Sequence, residues 1–169
     1  LRNFARRPQD ELRDVPVREV IEETLALFEP QARKANVEVR FLAPTQDISA
    51  IGGRLRLQQV LLNLLSNALD AMTGQAKPVI EVTVERAQAQ VIVAVRDFGP
   101  GLTDTARDQA FEPFFTTKDP GKGMGLGLSI SYNIVEDFGG RLTAENHPEQ
   151  GAVFRVHLLP STVQDLAAE

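Results

Sequence analysis

The 169-residue chain contains no cysteine, which excludes disulfides, thiolate chemistry and zinc sites of the cysteine type. No apolar run approaches the ~20 residues of a membrane span, and no signal peptide is visible. Positive charge is not in excess either. With 18 basic against 23 acidic residues the net charge is −5, which argues against nonspecific nucleic-acid binding by the body of the domain. Only two histidines occur, His147 in an Asn-His-Pro turn and His157 on a strand, and both read as structural. What remains is ordinary for a globular domain: 43% hydrophobic and 24% charged residues, on a chain long enough to bury a core without staples. The arginines among the first 13 residues read as solvated surface. Because the chain begins at Leu1 rather than Met, it reads as a fragment, with any membrane anchor in a missing part.

Periodicity divides the chain. Val17, Val20, Ile21, Leu25 and Phe28 recur at helical spacing, predicting a helix over about 17–35. Residues 37–43 alternate as a strand and stop at Pro44. A second helix is expected over about 54–72, followed by two strands, "VIEVTVER" and "QVIVAVRD", joined closely enough for a hairpin. Residues 98–125 are too rich in glycine and proline for regular structure throughout, and so long a loop in a compact domain is usually functional. A third helix over about 126–138 stops at Gly139-Gly140 and is followed by the strands "RLTAEN" and "AVFRVHLLP". The order suggests helices layered on one face of a mixed sheet.

Three motifs carry candidate chemistry. "GKGMGLGLSI" places glycines at 121, 123, 125 and 127 before an apolar helix, as a backbone needs when its N–H groups approach an anion. It is neither a Walker loop, since Leu128 and Ser129 follow Gly127, nor a dinucleotide fingerprint, since no strand precedes it. A plain flexible hinge stays open as its reading. On the second helix, Arg56, Gln59, Asn63, Asn67 and Asp70 form one polar stripe. Asparagine is a poor helix former, so two amides one turn apart suggest ligation of a hard, phosphate-bound cation such as Mg²⁺, with an ordinary polar face as the alternative. Finally, "DFGPG" ends a strand with Asp97, Gly99 and Gly101, either simple turn chemistry or a carboxylate placed to accept from an exocyclic amine.

Taken in order, "NLLSNALDA", "DFGPG", "FEPFFTTK", "GMGLGLSI" and "GAVFRVHLL" resemble the catalytic ATP-binding domain of sensor histidine kinases over about residues 15–160. Its Bergerat or GHKL fold is shared with DNA gyrase, Hsp90 and MutL ATPases. "GLGLSISYNIVEDFGGRLTAEN" resembles most the kinases of C4-dicarboxylate transport and their nitrogen-regulatory relatives. The resemblance implies an α+β, two-layer sandwich: a mixed sheet of about five strands, helices on one face, and a long mobile ATP lid. It implies that Asp97 accepts from the adenine amino group beside Gly99 and Gly101. Asn67 would be the first Mg²⁺ ligand and Asn63 would lie near the metal or the phosphates, with Asp70 at the end of the nucleotide-facing stripe. Phe111, Phe114 and Phe115 would anchor the lid, and Lys118 would reach the terminal phosphate. Gly123, Met124, Gly125, Leu126, Gly127 and Leu128 would form the phosphate-receiving glycine box.

Such a kinase also needs a phosphoacceptor histidine, which this chain does not supply. Residues 1–14 resemble the end of a dimerisation helix and its linker, and 161–169 a C-terminal tail, so the histidine is expected upstream. The implied partners are that dimerisation domain and a response regulator, with no nucleic acid. The full-length protein is expected to be a homodimer whose catalytic domain is a cytoplasmic part of an inner-membrane sensor, and this fragment a monomer. A gyrase- or Hsp90-type ATPase, or a regulatory or anti-sigma kinase module on the same fold, remains the alternative. In those ATPases a glutamate stands where Asn63 stands here.

Overall fold

A computed structural model of the chain describes residues 11–116 and 127–161. Strand β1 (Arg13–Pro16) leads directly into helix α1 (Val17–Lys34), which buries Val17, Val20, Ile21, Thr24, Phe28 and Ala32 at three- and four-residue steps. Pro30 lies inside this helix and cannot donate to the Ala26 carbonyl, yet the helix continues for another turn. It ends at Asn36, in the left-handed region at φ 55°, with Val37 N–H donating to Ala32 O and Asn36 N–H to Arg33 O. This is the double closure of a Schellman turn, and asparagine tolerates its positive φ.

Strand β2 (Glu38–Leu42), strand β3 (Ser49–Gly52) and helix α2 (Arg54–Ala71) follow. Leu57, Val60, Leu61, Leu64, Leu65 and Ala68 are the buried face of α2. Truncating one such leucine to alanine costs ~2–5 kcal/mol. Strands β4 (Val79–Ala87) and β5 (Gln90–Asp97) form the expected hairpin. A short helix α3 (Asp104–Gln109), capped by the Thr103 hydroxyl accepting from Ala106 N–H, interrupts the stretch expected to be loop. Helix α4 (Gly127–Asp137), strand β6 (Arg141–Asn146) and strand β7 (Ala152–Leu158) complete the fold.

The main sheet has five strands in the order β2-β4-β5-β7-β6, with β2 parallel to β4 and every other pair antiparallel. Mixed pairing, α+β class and strand number agree with the expected fold. Ile80, Val82, Val84, Val91, Val93, Val95, Phe154 and Val156 project from one face into the core beneath α1, α2 and α4. A second, two-stranded sheet pairs β1 with β3, and residues 159–161 run alongside it. Leu159 O accepts from Ile51 N–H, and Ser161 hydroxyl donates to Asp14. The expected domain boundaries at 14/15 and 160/161 therefore cut through this small sheet rather than beside it. Among the described residues, no helix is long and apolar enough to cross a membrane.

The outer sheet face is polar, and His157 ties three of its strands together. Its Nδ1 faces Gln90 Oε1 at 2.9 Å and its Nε2 faces Thr143 Oγ1 at 3.1 Å, a pattern that fits a neutral ring donating through Nδ1–H. Burial lowers the His157 pKa first, and Arg141 and Arg155 add to this against an opposing Glu145. The unfolded chain therefore takes up the proton that the folded ring resists. As pH falls below about 6.5 the wild type should lose thermal stability, until the folded pKa is passed. His157→Gln should lack this part of the loss. Parallel melting-temperature curves for the two proteins between pH 7.5 and 5 would contradict the assignment.

Candidate nucleotide site

Strand β5 delivers Asp97 to the end of the sheet, where the residue is 5% exposed. Its Oδ1 accepts from Gly99 N–H at 2.9 Å and Ala152 N–H at 3.2 Å. Among the described residues both donors fall on this one oxygen, so Oδ2 keeps its acceptor capacity for a ligand. Burial raises the Asp97 pKa, and the two backbone hydrogen bonds and Arg96 oppose that rise.

Gly99 sits against the C-terminal end of α2. A Cβ there would lie 2.7 Å from Ala71 O and 3.1 Å from Met72 Cε, so a side chain would push the loop off the helix. Gly101, at φ 84°, sits against Asn146 Oδ1, where a Cβ would lie at 2.8 Å. Asp97, Gly99 and Gly101 thus lie wedged between the end of α2 and the facing ends of β6 and β7.

The polar stripe of α2 divides into two parts. Arg56 pairs with Asp137 at 2.7 Å and lies 5.5 Å over the Phe138 ring, pinning the far end of α4. Asn63 Nδ2 donates to the buried Ser131 hydroxyl at 3.1 Å, and Asn63 Oδ1 fills the space a side chain at Gly127 would need. These two residues dock α4 onto α2, a packing duty not foreseen from the stripe. Asn67, one turn further, is half-buried, and among the described residues its carboxamide has no hydrogen-bond partner. It lies between the Asn63 contact with α4 and the Ala71 contact with Gly99, about 6 Å of helix from each. Asp70 is exposed beyond it.

Leu128, in the first turn of α4, is half-buried against the core. Lys118, Gly123, Met124, Gly125 and Leu126 lie outside the described residues. Of the three phenylalanines expected to anchor the lid, Phe111 stacks on Tyr132 at 5.3 Å and meets Phe154 edge-on at 6.4 Å. Phe114 does not pack: it is 69% exposed at φ 67°. His147 is engaged locally, its Nδ1 accepting from Glu149 N–H.

Sequence reasoning found the turn between β6 and β7 but missed its hold on the segment after Asp97. Gln150 Nε2 donates to Phe98 O at 2.7 Å, and Asn146 pairs with both backbone groups of Leu102. The only available signal was a pair of amides flanking a Pro-containing turn, which reads as turn chemistry.

The family model described as histidine kinase-, DNA gyrase B- and HSP90-like ATPase matches residues 52–162. The C4-dicarboxylate transport sensor protein DctB of Pseudomonas aeruginosa is 42% identical over 161 residues, 95% of this chain, which spans 26% of that relative's length. The nucleotide-free catalytic domain of histidine kinase ThkA superposes with a TM-score of 0.78 at 36% identity, covering 88% of this chain and 95% of that one. A crystal structure of ThkA in complex with the response regulator TrrA gives a TM-score of 0.76 at 35% identity, covering 92% of this chain and 43% of that one.

The raised Asp97 pKa has a measurable consequence. The folded chain holds the proton more tightly than the unfolded one, so the carboxylate costs stability as pH rises from the ordinary carboxylate range through the folded pKa. Asp97→Asn keeps an oxygen for Gly99 and Ala152 without the buried charge. Its melting temperature relative to wild type should climb across that window and equal or exceed wild type at pH 7. A variant melting well below wild type at pH 7 would contradict this.

Proposed function

From the chain's membership of the histidine kinase-, DNA gyrase B- and HSP90-like ATPase family, in its histidine kinase catalytic form, we propose that it binds MgATP and presents the γ-phosphate to a histidine outside residues 1–169. The observation that carries the reading is Asp97: a buried carboxylate with one oxygen held by backbone N–H groups and the other left for a ligand donor. An exocyclic adenine amine matches that oxygen, and Gly99 and Gly101, packed on the end of α2 and on Asn146, keep the turn beside it close to its neighbours.

The described residues fit a magnesium ion bound together with the phosphates. Among them no group of three or more His, Cys, Asp or Glu could hold a metal, so an all-protein cage is not on offer. Mg²⁺ usually keeps one or two protein ligands plus phosphate and water oxygens, which suits Asn67 as the free amide. When bound, the ion would supply positive charge that neutralises the phosphates. Asn63, already engaged by Ser131 and packed against Gly127, holds the N-terminal half of α4 in place near the phosphates. In this reading Asp70 closes the nucleotide-facing stripe, Lys118 reaches the terminal phosphate, and the N–H groups of Gly123–Leu128 receive the triphosphate.

Asn63 and Asn67 are amides and cannot take a proton from water near neutral pH. Transfer then depends on positioning an incoming nucleophile rather than on activating water. That nucleophile is the histidine of an upstream dimerisation domain, joined through the residues that precede β1, with the small β1–β3 sheet and residues 159–161 counted in the catalytic domain. The full-length protein would be a homodimeric inner-membrane sensor of the C4-dicarboxylate type, with this domain cytoplasmic and a response regulator as its downstream partner. The resemblance to DctB and to a kinase crystallised with its response regulator supports this assignment.

Incubating the chain with labelled ATP, alone and with the separate dimerisation domain, tests the proposal. Label should appear only on the added domain, and only when its histidine is intact. Steady phosphate release by the chain alone, unaffected by that domain, would favour the ATPase alternative.

A further inference from the structure

The turn joining β6 to β7 grips the Asp97 loop at several points. At one end, Gly151 packs so closely on Asp97 that the Asp97 carbonyl occupies the space of any Cβ at residue 151. Next to it, Ala152 N–H reaches Asp97 Oδ1. In the middle, Gln150 Nε2 donates to Phe98 O at 2.7 Å, while Gln150 O accepts from Arg96 Nη2 at 3.0 Å, and the Arg96 guanidinium lies 4.0 Å over the Phe98 ring. At the far end, Asn146 Oδ1 accepts from Leu102 N–H at 2.7 Å and Asn146 Nδ2 donates to Leu102 O at 2.9 Å. The carboxamide behaves there as a peptide group and extends the pairing of β6 sideways onto residue 102.

We infer that Asn146 is a positioning residue for the nucleotide site, fixing Gly101 and Leu102 against β6 so that the turn after Asp97 holds the shape that admits the base. The inference rests on the nucleotide-site reading above. Its physical basis is the accounting of backbone groups. Leu102 lies outside any strand, and both of its backbone polar groups are satisfied by this one side chain. The Leu102 side chain packs against the core and Thr103 caps α3, so the Asn146 carboxamide is what engages the backbone between them. Gly101 is specialised to the same contact, because any side chain there would displace the Asn146 carboxamide. Asn146 touches no reacting atom and acts through the loop. Its loss should therefore weaken binding of the nucleotide while leaving the chemical step alone.

Asn146→Ala, Asn146→Asp and wild type should be compared by hydrogen exchange at the Leu102 amide without nucleotide, and by KM and kcat for MgATP in phosphoryl transfer to the separate dimerisation domain. Asn146→Ala should speed Leu102 exchange and raise KM about tenfold with kcat unchanged. Asn146→Asp, which keeps the acceptor and loses the donor, should fall between. Thr143→Ala, on the same strand but outside the grip, should leave KM at the wild-type value. Faster exchange with an unchanged KM would overturn the inference and leave the functional reading intact. An equal rise in KM for Thr143→Ala would overturn it too, by showing general loosening of β6. Failure of the wild type to use MgATP would overturn the functional reading and the inference together.

Discussion

A buried carboxylate is expensive unless its oxygens find donors, and Asp97 finds only part of what it needs within the protein. Two backbone N–H groups hold one oxygen, from Gly99 two residues on and from Ala152 on the neighbouring strand. Each donor comes from an element whose position depends on another. Gly99 is placed by contact with the end of α2, and Ala152 by the β5–β7 pairing. The site is thus the point where helix layer, sheet end and connecting turn meet, and the electrostatic deficit of one side chain is what a ligand donor would relieve.

The sheet supplies rigidity and the helices supply the wall. Antiparallel pairing of β5 with both β4 and β7 buries the valine-rich inner face, so the position at which β5 stops is set by many contacts. Helix α2 crosses that layer, its apolar face inward and its amide-bearing edge toward α4. Two contacts then hold α4, the Asn63–Ser131 hydrogen bond near its start and the Arg56–Asp137 pair near its end. Partial exposure makes the ion pair worth little by itself, about 1 kcal/mol or less, so its service is orientation rather than stability. Gly127, the first residue of α4, thereby has a fixed place against Asn63.

Much of this was legible in the sequence because it rests on local pattern. The periodicity of Val17 to Phe28, the alternation of the β4–β5 hairpin and the Gly139-Gly140 stop each act within a few residues. What was not legible depends on distant partners. Strands β1 and β3 have four residues each and take their meaning from each other and from residues 159–161. Helix α3 hides between glycine and proline clusters, announced only by the Thr103 cap. In the candidate site, Asp97, Gly99 and Gly101 were visible as a motif, whereas Asn146 and Gln150 work across more than 40 residues of chain, and no spacing rule points to them. The polar stripe of α2 was seen as one feature and is two: Asn63 is engaged in helix packing while Asn67 stays free among the described residues.

The central claim is that Asp97 selects the base through its exocyclic amine, and changing the base alone tests it most directly. Inosine triphosphate keeps the ribose and the phosphates and replaces that amine with a carbonyl oxygen, which would face the carboxylate with no proton to give. Calorimetric titration of the wild-type chain should show MgATP binding at least about tenfold more tightly than MgITP, the ratio expected when one buried hydrogen bond to a charged group is lost. Equal affinities for the two nucleotides would contradict the account.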